Sequence, residues 1–224
     1  QSGIITGDVK GVVLVDVTPL SLGIEIDGGL FVPLIERNTP VPCRAQKLFT
    51  TISDDQNLVE IHIMQGERKV AKENISLGSF QLSDITKGKK GEPRIEILFD
   101  IDVDGIVKVS AQDTGRKHRE EITLSDTLGL SENEVRTLVA EAEKHREGDK
   151  RFQETVEFEN EIRALIREIE TYAQAQRIDD QEKDGLEKNV KTLNQLLQSD
   201  DNNRREAFEN VRKEFTSYRE GRAV

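Results

Sequence analysis

Apolar and polar residues alternate along the first half of the chain with the period of two that puts successive side chains on opposite faces of a strand. Leu20, Leu22, Ile24 and Ile26 share one face, with Ser21, Gly23 and Glu25 on the other. Asp27-Gly28-Gly29 then reverses the chain, because glycine accepts positive φ without a Cβ clash, and a second apolar run ends at Ile35. The hairpin's apolar rail has no obvious partner of its own. Two prolines, Pro40 and Pro42, make residues 37–42 a loop.

A strand is expected over residues 43–52, with Leu48 and Phe49 on opposite faces, and then an Asp/Asn turn at 53–57. Residues 58–65 alternate, Val59, Ile61 and Ile63 against Glu60, His62 and Met64. A weaker strand covers 75–82, and a basic loop runs from Lys87 to Pro93. The cleanest alternation is Ile95, Ile97, Phe99, Ile101 and Val103, all expected inward. Asp104-Gly105 turns the chain into a strand at 106–111, and 121–124 closes the set. Seven or eight short strands with turn punctuation predict a β-sandwich.

The period changes at Ser131. Ser131 and Glu134 form a capping box, in which each side chain satisfies an orphan amide at a helix start. Val135, Leu138, Val139 and Ala142 share a face of this helix. A second, long helix is expected from about Lys150, carrying Phe152, Val156, Ile162, Leu165, Ile166, Ile169 and Tyr172. Leu186, Val190, Leu193 and Leu197 mark a third, and Phe208, Val211, Phe215 and Tyr218 a fourth. The fold class is therefore a β-sandwich followed by an α-helical bundle, all-β plus all-α, with divisions at 1–15, 16–125 and 126–224. Composition agrees: all five prolines lie at or before Pro93, and charged residues become denser after Leu130.

The net charge of −11 is shared, −5 up to residue 130 and −6 beyond, whereas nucleic-acid binding rests on excess Lys and Arg; no nucleic acid is expected. No apolar run is long enough to span a bilayer, and the start of the chain lacks the order of a signal peptide, so a cytoplasmic setting without membrane contact is expected. Cys43 is the single cysteine, which excludes an internal disulfide.

Catalytic chemistry finds little support. Asp100-Ile101-Asp102-Val103-Asp104-Gly105 imitates the opening of an EF-hand loop, but the twelfth position is Ala111, which cannot supply the bidentate carboxylate, and the flanks alternate as strands. His62, His118 and His145 lack metal-ligand spacing, and no phosphate-cradling glycine motif occurs. A binding module is the better reading. Ile24, Ile26, Phe49, Val59, Ile61 and Ile95 lie near one turn-rich rim and could line a groove or serve as ordinary core; periodicity alone favours core. Val12, Val13, Leu14 and Val15 read either as an edge strand or as an apolar docking segment.

Five blocks occur in order: DVTPLSLGIE before Gly28-Gly29, IERNTPVP, IHIMQGER, SLGSF and FDIDVDGIVKVSA. Together they resemble the substrate-binding region of the Hsp70 chaperones, bacterial DnaK type. The resemblance implies a sandwich that holds unfolded or extended hydrophobic, Leu-rich peptide segments beneath a helical lid. Carried over by motif position, Ile24, Ile26, Phe49, Gln56, Val59, Ile61 and Ile95 would line the groove, Val59 in its central pocket. Asp27 and Ile52 would arch over the peptide, and Asp54, Lys90, Arg163 and Arg167 would latch the lid. Val12, Val13, Leu14, Val15 and Asp16 would be the interdomain linker. The family pattern places Met and Ala at the arch and an acid–base pair where Lys90 and Arg163 stand; here Asp27 puts a carboxylate at the arch, and Lys90 against Arg163 would set two cations together. The implied partners are an ATPase domain outside this chain, which would hold ATP and magnesium, and J-domain and nucleotide-exchange co-chaperones. No cofactor and no catalytic site are expected within the chain. Two other readings remain: an interaction module that uses the helical bundle, and a metal-regulated domain at Asp100 to Gly105.

Overall fold

The computed structural model describes residues 16–116, 118–125, 129–175, 178–199 and 203–220; of the linker stretch, Val12, Val13, Leu14 and Val15 lie outside the described residues and Asp16 is exposed. Eight strands come first: β1 (Leu22–Ile26), β2 (Leu30–Ile35), β3 (Cys43–Phe49), β4 (Leu58–Gln65), β5 (Ile75–Ser83), β6 (Ile95–Ile101), β7 (Val107–Asp113) and β8 (Arg119–Leu124). Three helices follow, α1 (Glu132–Ala175), α2 (Asp180–Leu197) and α3 (Arg204–Glu220). The strands form two antiparallel four-stranded sheets, in the orders β2-β1-β4-β5 and β3-β6-β7-β8. The sandwich is thus as the alternation predicts, and the helices that follow it among the described residues number three where four were expected. Two compact units divide inside α1, one up to Lys150 and one from Arg151.

The rail of β1 finds its partner in β4, with Leu22 opposite Gln65 and Ile24 opposite Ile63. Gly28 and Gly29 make the turn to β2 at φ 84° and 74°, a conformation closed to most side chains. Leu22, Ile63, Phe99, Ile101, Val107, Val109 and Ala111 are fully buried and fill the space between the sheets. Each edge of one sheet runs alongside an edge of the other, β5 beside β8 and β2 beside β3.

One expectation is corrected in this unit, and one burial was not foreseen. Val103 does not continue the inward set: it is 72% exposed, because β6 ends at Ile101 and Asp102 already belongs to the turn. Asp102 Oδ1 accepts from the Asp104 and Ile106 amides, both at 3.0 Å, which fixes that turn. Met64 shares a face with Glu60 and His62 yet is buried, since the chain returning through a 3₁₀ turn at Ala71–Glu73 encloses it with Phe31 and Ala71.

The capping box forms as expected: Glu134 Oε2 accepts from the Ser131 amide at 2.8 Å, and the Glu134 amide donates back to Ser131 Oγ at 3.3 Å. The helix it starts does not stop near Lys150. One 44-residue helix replaces the two that were expected. A glycine inside a helix costs only about 1 kcal/mol relative to alanine, so Gly148 weakens the helix without ending it.

In the second unit Phe158, Ile162, Leu165, Ile166 and Ile169 of α1 pack with Leu186 and Leu193 of α2 and with Phe208, Val211 and Phe215 of α3. Phe158 meets Phe208 edge to face at 5.5 Å, and Tyr172 meets Phe215 likewise. Asp179 caps α2 by accepting from the Glu182 amide at 2.8 Å.

Candidate functional site

The end of the sandwich where β1 and β3 finish and β4 and β6 begin gathers the six apolar candidates. Ile24, Ile61 and Ile95 are buried, at 3%, 1% and 1% exposure, and belong to the core. Ile26, Phe49 and Val59 pack on the same core but are only half-buried. Farther out, Ile52 is 48% and Leu58 40% exposed. Exposure of the apolar side chains therefore increases outward at this end.

The strands also part here. The β1–β4 register stops at Ile24 opposite Ile63, whereas β1 stays with β2 to Ile26 opposite Leu30 and β4 stays with β5 to Leu58 opposite Ser83. Ile26 and Val59 thus lie beyond the last backbone pair that joins β1 to β4.

Residues 50–57 cross from the β3 sheet to the β4 sheet over this end. Gln56 organises the crossing: its Oε1 accepts from the Ile52 and Ser53 amides at 2.9 and 3.2 Å, and its Nε2 donates to the Leu58 carbonyl at 2.8 Å. The Gln56 side chain is engaged by its own loop. Thr51 is buried and its hydroxyl has no hydrogen-bond partner among the described residues. The loop is tied to the β5–β6 connection, where the Lys90 amide donates to Asp54 Oδ1 at 2.7 Å and the Asp55 amide to the Gly88 carbonyl at 2.9 Å. Asp27 is exposed at the hairpin turn, and Ile52 is exposed on the 50–57 loop. In the helical unit, Arg163 donates to Glu159 Oε2 at 3.0 Å and to Asn160 Oδ1 at 3.3 Å, and Arg167 is half-buried on α1.

The sequence reading missed a charged clamp within the first unit. Arg68, just after β4, reaches Asp149 of α1 through Nε and Nη2, both at 2.9 Å, and the Lys69 amide adds a 2.8 Å bond to Asp149 Oδ2. The side chains are 13% and 6% exposed. Burial works to raise the Asp149 carboxyl, but the Arg68 and Lys69 bonds and the Arg68 charge outweigh it and hold the group below its ordinary value. The bonds to Asp149 raise Arg68 correspondingly. The available signal was weak, a lone acid beside a glycine, on a helix that was read as ending there.

Among the described residues no group of three His, Cys, Asp or Glu is placed to hold a metal ion, and Asp102 is committed to its turn. No helix among them is long and apolar enough to cross a membrane.

The structure is an eight-stranded sandwich with partly exposed apolar side chains at one end, in a chain that continues into a helical unit. The Hsp70 protein family matches residues 1–222, and the chain belongs to that family. It is 44% identical over 208 residues to the chaperone protein DnaK of Methanothermobacter thermautotrophicus, a match covering 90% of this chain and 34% of the relative. The chain thus spans about a third of the length of that curated relative.

Proposed function

We propose that this chain is the substrate-holding part of an Hsp70 chaperone: the open end of the sandwich takes a short, extended, Leu-bearing stretch of unfolded protein, and the helices act as its lid. The observation that carries the reading is the outward grading of Ile24, Ile61 and Ile95 into Ile26, Phe49 and Val59 where β1 and β4 part. Burying one leucine-sized side chain contributes about 1.5–3 kcal/mol. Each main-chain hydrogen bond adds a net of about 0.5–1.5 kcal/mol. Ordering the peptide and losing its translation oppose this by several kcal/mol. Micromolar affinity, about −8 kcal/mol, is the expectation to be measured. Backbone contacts accept any extended chain and one apolar pocket asks only for a leucine-like side chain, so the substrate class is unfolded protein in general.

On this reading the chain binds and does not catalyse. ATP and magnesium would be handled by a separate ATPase domain, reached through the linker that ends at Asp16, with J-domain and nucleotide-exchange co-chaperones as partners and the cytoplasm as the setting. The test is fluorescence anisotropy of a labelled Leu-centred heptapeptide. Micromolar binding is expected, and no binding at a hundred micromolar chain would refute the assignment.

A second reading, an interaction module that uses the helical unit, is favoured by a groove of about 540 Å³ between α1 and α2, lined by Ile169, Ala173, Ile178, Leu186 and Val190. It predicts one specific protein partner and no affinity for the heptapeptide.

A further inference from the structure

On the back of the candidate groove, across the sheet from Ile24 and Ile61, His62 stands between two carboxylates. Its Nδ1 lies 3.0 Å from Glu25 Oε2 and its Nε2 3.3 Å from Glu60 Oε1. Glu25 belongs to β1, between Ile24 and Ile26; Glu60 and His62 belong to β4, flanking Ile61. From β5, on the far side of β4, the residue opposite His62 is the uncharged Ser79, whose hydroxyl reaches Glu60 at 3.4 Å. The charges that bear on the ring are therefore Glu25 and Glu60.

A neutral imidazole has one N–H and one lone pair, so it can donate to only one of the two carboxylates and must set its lone pair against the other. Only the doubly protonated ring satisfies both contacts. The Glu25 hydrogen bond, followed by that of Glu60 and both charges, outweighs desolvation and raises His62 above its usual 6.5. The bridge to Glu25 also occupies a particular place. The β1–β4 ladder ends at Ile24 opposite Ile63, and Glu25–His62 is the next pair along, the first contact past the point where the strands part.

We propose that His62 is a proton-operated clasp across the β1–β4 fork: the protonated ring ties Glu25 to Glu60 and holds the two groove walls together, and loss of the proton leaves one donor for two carboxylates and loosens them. The link from clasp to peptide rests on the peptide-holding reading above. The sign follows from the raised value. The clasp is at full strength below about 6.5 and weakens as pH rises through the higher folded-state value of His62. The groups are 37–48% exposed, so the effect is that of a screened pair, about a two- to five-fold change in rate.

The experiment has two arms on the whole chain. In the first, the imidazole resonances of His62 are titrated by NMR without peptide; a midpoint above 6.5 that falls in Glu25→Gln is expected, and a midpoint at or below 6.5, or one unmoved by that substitution, overturns the clasp. In the second, release of the labelled heptapeptide is timed between pH 5.5 and 8. Release should slow about two- to five-fold toward the acid end in the unaltered chain and stay flat in His62→Gln. Equal pH dependence in both chains overturns the coupling to the groove. A chain that binds no peptide at any pH overturns the proposed function, and with it the coupling, while the first arm still decides the clasp.

Discussion

Replacing Asp149 by alanine tests the clamp between α1 and the β4–β5 connection. The substitution removes two 2.9 Å bonds from Arg68 and one 2.8 Å bond from the Lys69 amide, and leaves a guanidinium with 13% exposure without its main partner. Breaking one side of a buried pair costs about 3–5 kcal/mol, chiefly because the survivor stays desolvated. Glu73 Oε2, already 3.8 Å from Arg68 Nη1, can take up part of the orphaned charge, which puts the expectation at the lower end, about 3 kcal/mol. Urea unfolding gives the stability, and hydrogen exchange in residues 132–150 shows whether the loss is centred on this part of α1. The paired change Arg68→Met with Asp149→Leu should be more stable than either single variant, since a packed apolar pair avoids the desolvation altogether. The pH dependence has a definite sign. Because the folded-state value of Asp149 lies below the ordinary 3.8, its contribution is present above that value and disappears as pH falls through the lower one. A loss under about 1 kcal/mol, or a double variant no better than the single ones, would show that the clamp is a surface-like pair despite its burial.

Val59→Phe adds bulk at the half-buried centre of the open end; heptapeptide anisotropy should show at least about a ten-fold weaker affinity, some 1.4 kcal/mol, with the circular dichroism spectrum unchanged. Gly23→Ala would place a Cβ 2.1 Å from the Val32 carbonyl oxygen and 2.7 Å from the Pro33 Cα, both backbone atoms, so a clearly lowered melting temperature is expected, and an unchanged one would mean that β2 can move aside. Phe158→Ala removes the ring that meets Phe208 and carries the Arg205 guanidinium at 4.6 Å; about 3–5 kcal/mol of stability should be lost from the helical unit, read by helical ellipticity in urea.

The sheets were legible because a buried face imposes its period on the side chains. Ile95, Ile97, Phe99 and Ile101 announce β6, and Val59, Ile61 and Ile63 announce β4, whose bounds coincide with the expectation. Val103 misled because a turn residue can continue an alternation by accident once the ladder has ended. The join near Lys150 misled for the opposite reason. Gly148 and Asp149 look like a stop, and only a partner 81 residues away, Arg68, accounts for an acid buried within the helix. Phe158 was overlooked for want of its partner, since Phe208 lies on another helix. As for the site, periodicity marked Ile24, Ile61 and Ile95 as inward but could not say where inward ends. The grading through Ile26, Phe49 and Val59 depends on where β1 leaves β4, a matter of register between strands that no single strand records.

The neighbouring edges of the two sheets, β5 beside β8 and β2 beside β3, bear on how such a molecule survives its surroundings. A bare strand edge is a template onto which stray polypeptide can crystallise, hydrogen bond by hydrogen bond. Here each flank has an edge of the molecule's own second sheet beside it, which crowds the approach of a stray strand there. Growth of a shared fibre along either flank is thereby disfavoured.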